Sequence, residues 1–421
     1  MSEFSLVPLG QLAEIRMGQS PDSTYVHEGR EQGVPFLQGN AEFGARNPAA
    51  KYSCTQPAKI AEQGSSLISV RAPVGETNIA DQLYCIGRGL AAVKFHHYWE
   101  SLGRELLSFN AKKLDKVSQG TTFAAIGGAD LRTLLVAEIP DEEAKVLETV
   151  LDTLDTQIQT TEALIAKLEK VKEGLLHDLL TRGIDESGRL RSSPAQAPEL
   201  YKESPLGLIP REWVPSSGAQ ACKEIVVGIV IKPTQYYRAS GVPILRSANV
   251  RENRLSLDNL MYMSQQDHKA MSKSSVNPGD VLTVRTGYPG TSCVVDGSLE
   301  EANCVDIIIS RVGEGLDPNF WALWINSDFG KGHVLKSQGG LAQQHFNVGD
   351  LKKIQLPIPA MPEQLKIVGT WGALQEQIQK ESTRLEKLQL QKTGLMDDLL
   401  TGRVRVTPLL DQAQIQTASP A

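Results

Sequence analysis

Apolar residues recur every seventh position along 142–185, in two rows. Leu147, Leu154, Leu168 and Leu175 form one row, and Leu151, Ile158, Ile165 and Leu179 the other. The rows lie three and four residues apart, the spacing that places apolar side chains on one stripe of a long helix. Thr161 and Lys172 interrupt them. Moving 220 residues along the chain finds the same plan: Ile367, Leu374, Leu388 and Leu395, then Trp371, Ile378, Leu385 and Leu399. There Glu381 and Lys392 interrupt the rows in the same two slots, and the endings LLHDLLTRG (175–183) and LMDDLLTGR (395–403) nearly coincide. Leucine heptads are common, but shared defects at a shared phase indicate duplication. At about 1.5 Å per residue each segment predicts a rod on the order of 60 Å long. Its stripe must be buried on its own domain core or, the preferred reading, on the other helix.

The stretches ahead of the helices also correspond, and here the pattern changes to short Val/Ile/Leu runs bounded by Gly and Pro, which predict strands. Val34-Pro-Phe-Leu37 matches Val242-Pro-Ile-Leu245, each run leading to an asparagine, Asn40 or Asn249. GSSLISVRAPVG (64–75) matches GDVLTVRTGYPG (279–290), and each run reaches an arginine before a Pro/Gly turn. Gln119-Gly120 and Asp130-Leu131 match Gln338-Gly339 and Asp350-Leu351, and Ile-Pro (139–140, 358–359) precedes each helix. The expected organisation is a β-rich block (1–140), a long helix (141–185), an exposed Pro/Ser-rich connector (186–207), a second block (208–359), a second helix (360–405) and a disordered tail (406–421).

Composition narrows the class. With 41% hydrophobic and 22% charged residues, the 421-residue chain reads as a soluble protein of more than one domain. Its start lacks a secretory pattern, and five scattered cysteines argue against a disulfide scaffold, so a cytoplasmic setting is expected. The net charge of −6 is local: residues 141–185 carry 5 Lys+Arg against 11 Asp+Glu, while residues 1–140 carry 13 against 14. The blocks are therefore near neutral. Catalytic signatures are missing: there is no Walker-type loop, G-x-G-x-x-G unit, H-E-x-x-H or G-x-S-x-G elbow. His96-His97 reads as an ordinary histidine pair, and recognition is favoured over catalysis.

Two β-rich blocks, each followed by a repeated helix entered through Ile-Pro and closed by G-L-[LM]-x-D-L-L-T (174–181, 394–401), resemble the specificity subunit of type I restriction–modification systems. S-P-L-G-L-I-P-R-E-W (204–213) and the Gln-Gly loops add to the likeness, which covers nearly the whole chain. The resemblance implies an α+β fold in which two β-rich target-recognition domains are separated by two long helices forming an antiparallel coiled coil, with a pseudo-two-fold internal repeat. It implies a non-catalytic DNA-recognition subunit. Each block reads half of a bipartite, asymmetric site in double-stranded DNA, and the coil sets the spacer and docks two methyltransferase subunits. Restriction–translocase subunits join through these. S-adenosylmethionine, ATP and Mg²⁺ are expected on the partners, with no cofactor, metal or membrane on this chain. A coiled-coil adaptor without base readout is the alternative, and an enzyme with an unfamiliar site a further one.

Base edges are read by Arg, Lys, Asn and Gln, whereas phosphate contacts mainly position a protein. The DNA-contact candidates are Gln38, Asn40, Arg71, Thr121 and Thr122 in the first block, and Arg246, Asn249, Arg285, Gln343, Gln344 and His345 in the second. Turn-forming or carbonyl-bonding roles for these residues are the competing reading. On the coil, an antiparallel register that sets Lys172 opposite Glu381 also sets Lys392 opposite Thr161, so that the breaks meet. The alternative is that both lysines extend to solvent.

Overall fold

The computed structural model describes residues 3–29, 32–97, 100–118, 125–337 and 346–407. The chain forms two compact units, one from residues 1–165 and 380–421, the other from 166–379. Each unit thus takes one β-rich block and a portion of both long helices, cutting across the six segments expected from sequence.

In the first unit a four-stranded antiparallel sheet runs in the order Ala13–Met17, Leu90–Phe95, Ser66–Ser69, Thr77–Ile79. A second sheet runs Val26–Glu28, Tyr52–Cys54, Val34–Leu37, Tyr84–Ile86, Ile60–Ala61. Its one parallel pairing sets Phe36 opposite Cys85 and Leu37 opposite Ile86. Ser66–Ser69 is buried throughout, as expected of a central strand covered on both faces. The helix Glu100–Ser118 contributes Leu102, Leu106 and Leu107 to the core.

The second unit repeats this plan. Its first sheet runs Cys222–Val227, Ile307–Val312, Val281–Val284, Ser292–Val294. Its second runs Met261–Met263, Val242–Leu245, Ala302–Cys304, Ser275–Val276, and again one pairing is parallel, with Leu245 opposite Cys304. The matching sequence stretches occupy matching strands. Even the turn after each arginine repeats: Gly75 and Gly290 have φ of +94° and +88°, where L side chains are strained. A β-carbon on either would lie 2.8 Å from a helix side chain, Ala111 or Val334 respectively.

The long helices run Asp141–Thr181 and Met361–Thr401. All sixteen residues of the expected apolar rows are buried or half-buried, and none is exposed. In the first unit Leu147 and Leu151 share a core with Leu399 and Leu400; in the second, Leu179 and Leu180 share one with Ile367. The start of each helix therefore packs on the end of the other, and the pair is antiparallel within both units.

A glutamate near the start of each helix fixes this arrangement. Glu143 accepts from Arg405 Nε at 3.0 Å and again from its Nη2. Arg405 also lies 4.5 Å over the Phe4 ring. Glu363, in the equivalent place, is held by Arg191, by Trp213 Nε1 at 3.1 Å and by the Ile184 amide at 3.0 Å. The connector is thus more than an exposed link, since it supplies Arg191 and a hairpin of Tyr201–Ser204 with Gly207–Pro210. The S-P-L-G-L-I-P-R-E-W segment exists in part to bring in Trp213, which is fully buried.

The hydrogen bond from Arg405 holds the Glu143 carboxyl below the usual carboxylate range. A depressed folded-state pKa contributes stability that is complete above the ordinary value of about 4.5 and is lost as pH falls through the folded value. Glu143→Gln is expected to lose less stability than wild type between pH 5 and pH 3. Denaturant midpoints followed by circular dichroism measure this, and identical losses in the two proteins contradict it.

Candidate nucleic-acid interface

The ends of several strands converge on one edge of each block. In the first unit, Leu37 O accepts from the Gly87 amide at 2.8 Å, Leu90 O from Gly18 at 2.9 Å and Ile86 O from Gln19 at 3.0 Å. Val70 donates to Gly89 O, and Ile126 to Val70 O, both at 2.9 Å. Arg71 bridges Ala125, where the chain leaves the Gln-Gly loop. These bonds gather Gln19, Gln38, Arg71 and Arg88 on one edge, all of them exposed. Asn40, half-buried, begins the short helix beside Gln38.

The second unit builds the same edge with different side chains. Val305 donates to Leu245 O at 2.9 Å, Gly228 to Ile307 O at 2.8 Å and Ile229 to Cys304 O at 2.9 Å. Phe346, at the exit of the second Gln-Gly loop, donates to Arg285 O at 3.0 Å. Asp306, at φ +53°, closes the edge from the centre. Its amide donates to Ile229 O at 3.1 Å, while its carboxylate binds Arg285 at 2.7 Å and accepts from Thr286 Oγ1 at 3.0 Å.

The structure sorts the candidates. Gln38 and Arg71 are exposed on the edge. Asn249 is corrected: it is fully buried, its Oδ1 accepts from the Arg246 amide, and its Nδ2 donates to Ser256 O and Asp258 O. A side chain so satisfied holds its loop and has nothing left for a base. Arg246 turns its Nη2 back to Asn259 O at 2.8 Å, and Arg285 pairs with Asp306 at 2.7 Å. Thr121, Thr122, Gln343, Gln344 and His345 lie outside the described residues, as does the tail from 408. Gln19 and Arg88, exposed on the same edge, were not among the sequence candidates; the Gly-Arg-Gly turn at 87–89 was the available signal for Arg88.

The helix pair also departs from expectation. Lys172 pairs with Glu169 and Glu381 with Arg384, each along its own helix. Neighbours three residues apart on a helix are already within reach. Lys392 does not meet Thr161, whose hydroxyl bonds Gln157 O. It reaches Asp155 at 2.6 Å and Glu105 at 3.1 Å. Arg104 binds the same two carboxylates, completing a balanced cluster of two cations and two anions whose side chains are mostly buried. Arg46 adds a bidentate pair to Asp152 at 3.1 and 3.2 Å. At the equivalent level of the second unit, position 375 is glutamine. There Lys172 lines an open cleft of about 840 Å³ with His177, Phe329 and Trp371.

Among the described residues no group of three or more His, Cys, Asp or Glu could hold a metal ion, and no helix is long and apolar enough to cross a membrane. The edges offer polar, cationic and apolar contacts to a surface.

Comparisons with known proteins agree with this geometry. Residues 1–170 match the family model described as type I restriction modification DNA specificity domain. A Methanocaldococcus jannaschii protein named as the MjaX specificity subunit of a type I restriction enzyme is 37% identical over 191 residues, 42% of this chain and 43% of that protein. The type I restriction enzyme MjaVIII specificity subunit of the same organism is 24% identical over 308 residues, 70% of this chain and 68% of that one. The match thus spans less than half the length of the first of these relatives. The crystal structure of a type I restriction–modification S subunit from M. genitalium superposes with a TM-score of 0.59 at 12% identity, covering 94% of this chain and 96% of that one. That likeness is one of fold.

Proposed function

We propose, from the premise that residues 1–170 belong to the family of type I restriction modification DNA specificity domains, that this chain is the DNA-specificity subunit of such a complex. Each block reads one half of a bipartite, asymmetric site in duplex DNA. The helix pair sets the unread spacer and docks two methyltransferase subunits, which in turn carry the restriction subunits. S-adenosylmethionine, ATP and Mg²⁺ belong to those partners in this reading, and the chain itself supplies recognition.

One observation carries the reading: two blocks that share their sheet order, apart from the extra edge strand Val26–Glu28 of the first, present unlike side chains on the same edge. Copies that share one plan can each present the same edge to the major groove, and DNA has a two-fold of its own that offers each an equivalent approach. Unlike edges make the half-sites unlike. An adaptor has no use for matched edges that differ in chemistry.

Phosphate contacts by Lys and Arg supply most non-specific affinity, and the blocks are close to neutral. Binding by the chain alone is therefore weak, and tight binding appears when the methyltransferase adds its surface. A gel-shift series on random and genomic duplexes, with and without the partner, tests this. The expected result is sequence-selective retention only with the partner at physiological salt. Equal retention of all sequences by the complex supports the adaptor.

A further inference from the structure

Tyr288 and Ile231 are the two most exposed large apolar side chains among the described residues, at 82% and 74%. They do not lie on unrelated surfaces. Ile231 is two residues beyond Ile229, whose carbonyl accepts from Asp306, and Tyr288 is two residues beyond Thr286, whose hydroxyl donates to the Asp306 carboxylate. Both loops are thus tied to one residue on the strand-end edge of the second block. Val230, 47% exposed, extends the apolar stretch.

The equivalent edge of the first block has another chemistry. The turn after Gly18 reads Gln19-Ser-Pro-Asp22, with no large apolar side chain. Arg71 and Arg88 stand exposed there, and no ion pair among the described residues holds either. In the second block the arginine matching Arg71 is Arg285, whose charge is met by Asp306. Guanine readout by a bidentate arginine is thus open to the first edge, while the second edge offers apolar surface. In the major groove the apolar group on a base edge is the C5-methyl of thymine.

We infer that the second block reads its half-site through thymine methyl groups contacted by Ile231 and Tyr288, with Asp306 as the positioning residue that holds their two loops together. The inference rests on the DNA-reading function proposed above and assigns the chemistry of one half-site. Solvent-exposed isoleucine and tyrosine gain burial on contact with a methyl, and removal of one methyl is worth about three- to tenfold in binding.

The test uses the chain assembled with its methyltransferase and duplexes in which deoxyuridine replaces thymidine, which deletes the methyl and leaves pairing intact. Substitution in the half-site read by the second block is expected to weaken binding about three- to tenfold per contacted methyl, and substitution in the other half-site to leave it unchanged. The double variant Ile231→Ser/Tyr288→Ala, altered only at exposed positions, is expected to bind thymidine and deoxyuridine duplexes alike. Specific binding indifferent to deoxyuridine, or a second half-site without an A·T pair, overturns the inference and leaves the proposed function standing. Failure to distinguish any sequence overturns both. A double variant that needs excess methyltransferase to assemble, yet in the assembled complex still discriminates deoxyuridine, marks the patch as a protein contact and overturns the inference alone.

Discussion

Lys392→Met is expected to destabilise the first unit by about 3–5 kcal/mol, because it leaves a buried carboxylate without its cation. Lys392 is held by Asp155 and Glu105, whose side chains are 10% and 3% exposed, and water cannot compensate them once the ammonium is gone. Arg104 remains as the one cation for two anions. Burial pushes its pKa down, and Glu105 and Asp155 more than offset that push. Lys392→Met combined with Glu105→Gln restores that balance and is expected to recover part of the loss. Lys172→Met is an internal control at the repeat-equivalent position. Its ion pair with Glu169 is partly exposed, at 25% and 45% for the two side chains, so its removal should cost about 0–1 kcal/mol. Urea denaturation of the three variants reads the difference directly. Equal costs for Lys392→Met and Lys172→Met would show that the cluster is no more than a surface pair.

That comparison bears on what the sequence displays and what it hides. The repeat, the apolar rows and the Ile-Pro entry to each helix are visible because burial at fixed periods selects residue type at every turn. The side chains that lock the helices are not visible. Asp155 follows Leu154 in an acidic stretch and reads as part of a solvated face, and it is Arg104 and Lys392, brought to it by two other helices, that make it a core residue. Glu363 likewise reads as a first-turn carboxylate suited to the helix dipole, yet its partners are Arg191, Trp213 and Ile184. Polar partners far apart in sequence have no local signature.

The strand-end edges were legible in outline. Matching stretches located both strand-end edges, and Arg71 and Gln38 lie on the first. Yet Asn249, chosen because it matches Asn40 in the repeat, is consumed by its own loop, and Arg246, matched to Gln38, turns back toward Asn259. Equivalence in the repeat places a residue on an edge; burial and partners decide whether it faces outward. Ile231 and Tyr288 escaped notice because exposed apolar residues look like core until a structure shows them uncovered.

The division of the site between the blocks is the claim on which the function rests, and exchanging one block has the largest expected effect on recognition. Each mismatched base pair typically costs about 1–3 kcal/mol. A chain in which residues 214–358 are replaced by a second copy of the first block should therefore lose its original site by on the order of 10³-fold or more. The most direct measurement is a genome-wide map of methylated bases in cells carrying the methyltransferase with either chain. The native chain should give an interrupted motif with two unlike halves. The duplicated chain should give an inverted repeat of one half with the same gap. A continuous motif for the native chain, or one motif shared by both chains, contradicts the account.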